Sequence, residues 1–377
     1  MARPRNSADT IHAGRNRRAG ALAASLTLAL GLVACGGSAN PTGGPVEKLA
    51  ADDAVVAELD TLYQAARQDG RTEVTVYLGG APLDDVWKTF SRRYPEITVE
   101  PVGLYGAEFV SKIEQEHSSG RVLADVVLQG PSSVLQQAEQ GYFADFDPAG
   151  AAEGFADVAR DKDLDGTCIA PYGEAAALTY NTGKVSKEDA PASWDDLVDE
   201  KWKGRLVLPQ LDKPGTTSRT FGVLAQTGEI DDGWLDRLAG NEPVGVAEST
   251  MTGAAVVSGK GDVGLGRQAT LVREIEKGAP LGVVYPMESA SVISTYFGCV
   301  MDKAPNSNAG KLLLSWLFTE EAQNALAGAG YYPLREGVRP LAPFPPIEEV
   351  GNVAIVSAKD EPKLIASMTK KMVERFK

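Results

Sequence analysis

Glu73-Val74-Thr75-Val76-Tyr77-Leu78-Gly79-Gly80 opens the stretch that decides the fold, and Ala124-Asp125-Val126-Val127-Leu128-Gln129-Gly130-Pro131-Ser132-Ser133 closes it. The first phrase is a short β-rich run stopped by two glycines. Residues 83–94 carry Val86, Trp87 and Phe90 at helical spacing, and Pro95 ends them. Residues 97–102 form a second strand, 108–120 a helix, and 124–128 a third strand. Ser132 or Ser133 is placed to cap the helix after it. Strand and helix alternate three times, which predicts an open α/β sheet.

Working outward, residues 55–70 read as an amphipathic helix ahead of this unit. Beyond it, residues 167–180 are a long β-like run with Cys168 near its start. A second α/β unit spans about 180–285, with strands at 205–209, 244–247, 263–266 and 281–285. Thr216-Thr217-Ser218 introduces one of its helices, and Ser249-Thr250 caps another reaching Ser258. A second long β run, 291–301, carries Cys299 near its end. Helices over 308–326 and from about Glu361 close the chain.

The N-terminus predicts export. Arg3, Arg5, Arg15, Arg17 and Arg18 precede an uncharged, apolar or small run from Ala19 to Ala34, fitting a signal peptide over 1–34. Leu32-Val33-Ala34-Cys35 resembles a lipobox, with Cys35 the residue to be acylated. A Gly/Pro/Ser/Asn-rich stretch follows, a flexible tether over 35–50. The expected location is therefore the outer face of the cell membrane, or the periplasm, held by a lipid anchor. The whole chain carries a net charge of −14, and the basic leader masks a still more acidic remainder. That charge excludes nucleic acid as a partner. With Cys35 assigned to lipid, Cys168 and Cys299 are a candidate disulfide, or two buried thiols. His12 and His117 are the only histidines, so zinc chemistry and histidine-based acyl transfer lack their parts. No cofactor or metal site is expected.

Several phrases then fall in a telling order. Tyr180-Asn181-Thr182 precedes Ala192-Ser193-Trp194-Asp195-Asp196-Leu197 and Trp202-Lys203-Gly204-Arg205. Ser258-Gly259-Lys260-Gly261-Asp262-Val263-Gly264, Lys303-Ala304-Pro305-Asn306 and Gly330-Tyr331-Tyr332-Pro333-Leu334-Arg335 follow. The ordered set, over about 72–375, resembles the extracellular solute-binding proteins of ATP-driven importers, in the branch of ferric-ion, polyamine, thiamine and phosphonate receptors. The resemblance implies a type II periplasmic-binding-protein fold: two α/β lobes joined by crossing strands that act as a hinge. The lobes would be 51–170 with about 292–340, and 171–291, with 341–377 a tail and helix packed on them. The two long runs would be antiparallel neighbours, which would bring Cys168 to Cys299.

Ligands of open α/β sheets lie beyond the carboxyl ends of the strands. Those loops are 79–82, 129–133, 214–218, 248–252 and 266–268, so Gly80, Gly130, Ser132, Ser133, Thr216, Thr217, Ser218, Ser249, Thr250, Arg267 and Gln268 are candidate ligand contacts. The hydroxyls sit at helix starts, which suit anions but equally serve as plain caps. Glu174, on the first crossing run, reads as a ligand contact, an inter-lobe salt bridge or a solvated charge. Gly266-Arg267-Gln268 stands where ferric receptors carry their ligand tyrosines, so Arg267 is expected to pair with an anionic group of the ligand. Tyr331-Tyr332 matches a structural turn instead. Asp161, Asp163 and Asp165 resemble a calcium loop without its terminal glutamate and read as an acidic turn.

The resulting expectation is a monomeric receptor, not an enzyme, for a small phosphate-, phosphonate- or carboxylate-bearing solute, delivered to a permease and ATPase. A ferric receptor using a synergistic anion is the alternative; a sensory lipoprotein of the same fold is a third.

Overall fold

The structure, a computed structural model, describes residues 49, 51–151, 154–286 and 289–376. The expected signal peptide, Cys35 and all of the tether except Leu49 lie outside them. No helix among the described residues is long and apolar enough to cross a membrane.

The first elements are α1 (Asp53–Gln68), β1 (Glu73–Leu78), α2 (Asp84–Arg93), β2 (Thr98–Gly103), α3 (Gly106–Ser119), β3 (Val126–Gln129) and α4 (Pro131–Ala138). The long run is one strand, β4 (Cys168–Asn181), buried throughout. Then come β5 (Leu206–Pro209), α5 (Thr216–Thr227), α6 (Asp232–Gly240), β6 (Val244–Val246), α7 (Thr252–Val257), β7 (Val263–Arg267), α8 (Gln268–Glu276) and β8 (Leu281–Val284). The chain ends with β9 (Ile293–Val300), α9 (Ser307–Trp316), α10 (Glu320–Gly328), β10 (Tyr332–Pro333) and α11 (Glu361–Arg375).

The strand order is β2-β1-β3-β9-β4-β7-β5-β6, with β8 and β10 also pairing β4. β1 runs parallel to β2 and β3, as alternating strands and helices require. β4 is shared by two strand groups. Its residues Cys168–Ala175 pair antiparallel with β9, and Ala176–Asn181 pair with β7 and β8. The first group packs Val74, Val76 and Val126 against Phe90 and Trp316. The second packs Leu206 and Leu265 against Trp194, Trp202, Phe221 and Trp234.

Cys168 and Cys299 are directly opposite in the β4–β9 ladder and are disulfide-bonded, with Cα atoms 4.6 Å apart. Four local expectations are corrected. The helix expected over 308–326 is two, because Thr319 breaks it and caps α10 by accepting from the Ala322 N–H. Gly130, not a serine, is the N-cap of α4, because Pro131 occupies the first turn. Ser249 and Thr250 cap nothing; they lie inside a single 3-10 turn ahead of α7. The second crossing run becomes a strand only at Ile293.

Candidate functional site

The floor of the main cleft is a strip of the β4–β9 ladder. Glu174 lies opposite Ser294, and Tyr296 follows on the same face two residues on. Glu174 is 3% exposed. The loop after β1 lies flat on this strip because Gly80 has φ +87° and no side chain; a Cβ there would sit 2.8 Å from the Tyr296 hydroxyl. The Tyr105 hydroxyl donates to the Gly80 carbonyl at 2.6 Å, and the Tyr331 hydroxyl to that of Ala81 at 2.6 Å.

The second strand group brings the cations. Arg267, the last residue of β7, forms an ion pair with Glu174 and donates to the Tyr296 hydroxyl at 2.5 Å. Its side chain stays 27% exposed towards the cleft. Burial opposes its charge, but Glu174 and the neighbouring tyrosine oxygens outweigh that and hold the guanidinium more firmly protonated than usual. Arg219, on α5, donates to Ser294 Oγ at 2.6 Å and to Glu361 of α11 at 2.6 Å. Thr270 and Arg273 share one face of α8, and Lys277, its C-cap, continues that face at helical spacing. Arg273 donates to the Pro82 carbonyl at 3.2 Å and to the Ala329 carbonyl. Glu274, beside it, has its carboxyl pushed above the ordinary range by burial, against the pull of Lys277.

Apart from Tyr296, Tyr331 and Glu361, the side chains named on these elements line a cleft of about 880 Å³. That lies in the size range of small-molecule sites, roughly 300–1,000 Å³. Cations and hydroxyls on the lining can fix an anionic group; among the described residues no cluster of three or more histidine, cysteine or carboxylate side chains is placed to hold a metal ion.

Of the candidate contacts named from sequence, Gly80, Glu174, Thr216, Ser249, Thr250 and Arg267 line this cleft. Thr217 and Ser218 do not. Both are fully buried, Thr217 Oγ1 donating to the Pro209 carbonyl and Ser218 Oγ accepting from the Gly215 N–H at 3.0 Å. Gln268 is buried too, its Oε1 accepting from the Ala175 N–H at 3.3 Å. Gly130, Ser132 and Ser133 lie off the cleft: Gln129 turns inward to donate to the Tyr77 and Leu104 carbonyls, closing that strand end. Glu174 is an ion-pair partner across the two strand groups, one of the roles weighed for it.

Sequence reasoning missed Arg219, Arg273, Ser294 and Ile365. Arg219 was within reach: it stands three residues after Thr216, on the same helix face. Ser294 and Ile365 carry no such signal, since only long-range packing brings β9 and α11 here. Tyr331 and Tyr332 are fully buried, as the structural reading of that turn expects. Asp161 closes its own turn by accepting from the Asp163 N–H and pins the tail by accepting from the Ala358 N–H at 2.6 Å.

Residues 86–349 match the family profile described as bacterial extracellular solute-binding protein. A Salmonella paratyphi A protein named for 2-aminoethylphosphonate binding is 28% identical over 257 residues, 65% of this chain and 72% of its own length. Iron uptake protein A1 of Synechocystis sp. is 28% identical over 179 residues, 44% of this chain and 49% of its own. Among solved structures, iron-bound HitA from Pseudomonas aeruginosa superposes with a TM-score of 0.66 at 20% identity, covering 80% of this chain and 99% of HitA. Apo ferric ion-binding protein A from Pasteurella haemolytica does so with a TM-score of 0.64 at 19% identity, over 81% and 98%.

Proposed function

The chain belongs to the bacterial extracellular solute-binding proteins, and from that premise we propose that its cleft holds a small solute bearing a phosphonate, phosphate or carboxylate group. It has the type II periplasmic-binding fold, and it is a binding protein of the ABC-importer type, not an enzyme. The observation that carries the ligand class is the convergence of Arg219, Arg267, Arg273 and Lys277 on one cleft with the hydroxyls of Thr216, Ser249, Thr250 and Ser294. Guanidinium groups fork phosphonate and carboxylate oxygens, and a closing cleft strengthens the contact by excluding water. Carboxylates also line the cleft, Glu248 and Glu274 among them, so a solute that adds an ammonium group to its anion is well matched. The relatives named for 2-aminoethylphosphonate binding support this class.

In this reading the lobes divide on β4 between Ala175 and Ala176, the protein works as a monomer, Cys35 is its lipid anchor, and a permease and ATPase receive the solute. The ferric alternative has the weaker support. Tyr296 and Tyr331 are buried beneath the cleft, and burial holds both phenols well above their ordinary range, which disfavours the phenolate an iron ion would need.

Calorimetry of the protein with 2-aminoethylphosphonate, methylphosphonate and phosphate, and with ferric ion with and without those anions, tests the reading. Binding of an anion without iron is the expected result, with thermal stabilisation growing as the logarithm of its excess. Binding of iron alone, with no response to any of the anions, overturns it.

A further inference from the structure

Arg219 is held from two sides by elements that are far apart in sequence. Its Nε and Nη2 lie against Glu361 Oε1, each at 2.6 Å, and its Nη1 donates to Ser294 Oγ at 2.6 Å. A guanidinium has five N–H donors, so donors remain on Nη1 and Nη2. The side chain is 18% exposed and lines the cleft, whereas Glu361 is 5% exposed. One turn along α11, Ile365 lines the same cleft. The C-terminal helix is thus a wall of the site as well as packing on α5, where Leu364 fills the space a side chain at Gly222 would take.

We infer that Glu361 sets the charge selectivity of the cleft through Arg219. This rests on the reading of the cleft as an anion site. An incoming anion takes the outer edge of the Arg219 guanidinium while Glu361 keeps the inner edge. The carboxylate holds the guanidinium's plane and, being a like charge close to the bound oxygens, weakens the hold on anions, most of all on those with two charges. Arg267 cannot play this part as freely, because Glu174 and Tyr296 occupy it within the floor. Glu361 is therefore a positioning residue: it touches the arginine and not the solute.

The test is calorimetry of methylphosphonate and of 2-aminoethylphosphonate binding to the full exported chain, as wild type, Glu361→Gln and Arg219→Lys. Glu361→Gln keeps the shape and removes the charge. It is expected to tighten methylphosphonate about tenfold and 2-aminoethylphosphonate, whose ammonium offsets its anion, less than threefold. Arg219→Lys keeps the ion pair with Glu361 but has no fork, and is expected to weaken both about tenfold at unchanged melting temperature. If Glu361→Gln does not fold, Glu361→Asp, which withdraws the carboxylate from Arg219 by one methylene, takes its place and is expected to shift the two affinities unequally in the same sense. Wild-type binding that neither variant alters by more than twofold overturns this inference alone. Equal tightening of both solutes by Glu361→Gln overturns the selectivity role. Wild type that binds neither solute overturns the anion reading and this inference with it.

Discussion

Two strands of this molecule begin alike and end differently. Ala124-Asp125-Val126 leads into β3 in the first group, and Gly261-Asp262-Val263 leads into β7 in the second. Asp125 is fully buried and is met by neutral donors, accepting from the Thr75 N–H at 2.9 Å and the Asn306 N–H at 2.5 Å. Asp262 is met by two cations, Lys184 at 2.9 Å and Arg205 at 2.7 Å. At the far ends, Gln129 folds back onto backbone carbonyls, while Arg267 enters the cleft. The first group settles its polar groups internally and offers a floor. The second group carries charge outward, with Arg219, Arg267 and Arg273 lining the cleft. The cations thus enter the cleft from one side, and the other side supplies the counter-ion Glu174 and the hydroxyl of Ser294, with Tyr296 beneath them holding Arg267.

The largest test of that contrast is covalent. The disulfide ties strands of the first group only, across 131 residues of chain. Replacing both cysteines by alanine is expected to cost about 4 kcal/mol in chemical denaturation. Hydrogen exchange should speed up in β3, β9 and the first half of β4 before β5 and β6; uniform loss of protection would erase the distinction between the groups. Next, Glu174→Ala leaves Arg267 without its carboxylate, and a loss of about 3 kcal/mol in melting experiments is expected. A loss under 1 kcal/mol would mean that the floor does not hold Arg267's charge.

The two aspartates should titrate on opposite sides of their ordinary value. Burial raises Asp125 despite its hydrogen bonds, so its contribution to stability falls as pH rises from 3.8 through its folded-state value. Burial is outweighed at Asp262 by Lys184 and Arg205, which lower it, so its contribution is present above 3.8 and is lost as pH falls through its lowered value. Carbon-detected NMR titration reads both; a shift of the same sign at the two sites would break the comparison. At neutral pH, Asp262→Asn should cost about 1 kcal/mol, given that its cations are half-exposed. Smallest of all, Ser218→Ala should cost under about 1 kcal/mol by removing the two bonds its hydroxyl makes with Gly215, accepting from the N–H at 3.0 Å and donating to the carbonyl at 3.2 Å, with anion affinity unchanged. A drop in affinity would return Ser218 to the site.

The alternation that begins at Glu73 was enough to predict two α/β units, because periodicity is local and the helices and strands are well punctuated. The cysteines and the order of family phrases carried the pairing of β4 with β9. The loops at strand ends led to Gly80, Thr216, Ser249, Thr250 and Arg267. At Thr217, Ser218 and Gln268 the side chains turn away from the cleft, and Gly130, Ser132 and Ser133 lie off it, because a loop's position does not say which way each side chain turns. Nor could a local pattern reveal that Arg267 is paired across the groups with Glu174, or that Arg219 is held by a helix 142 residues away.

That β9 returns to lie between β3 and β4 has a consequence for how the chain matures. The first group cannot complete its sheet until residues after 292 are available, whereas β5 to β8 pair only with β4 and one another. Delivered from its N-terminus, the polypeptide must therefore keep β3 with a bare edge while the whole second group assembles. Cys168 waits through the same interval for its partner. The interval between those two events is when the nascent protein is most exposed to mispairing, and chaperone dependence or aggregation should concentrate there.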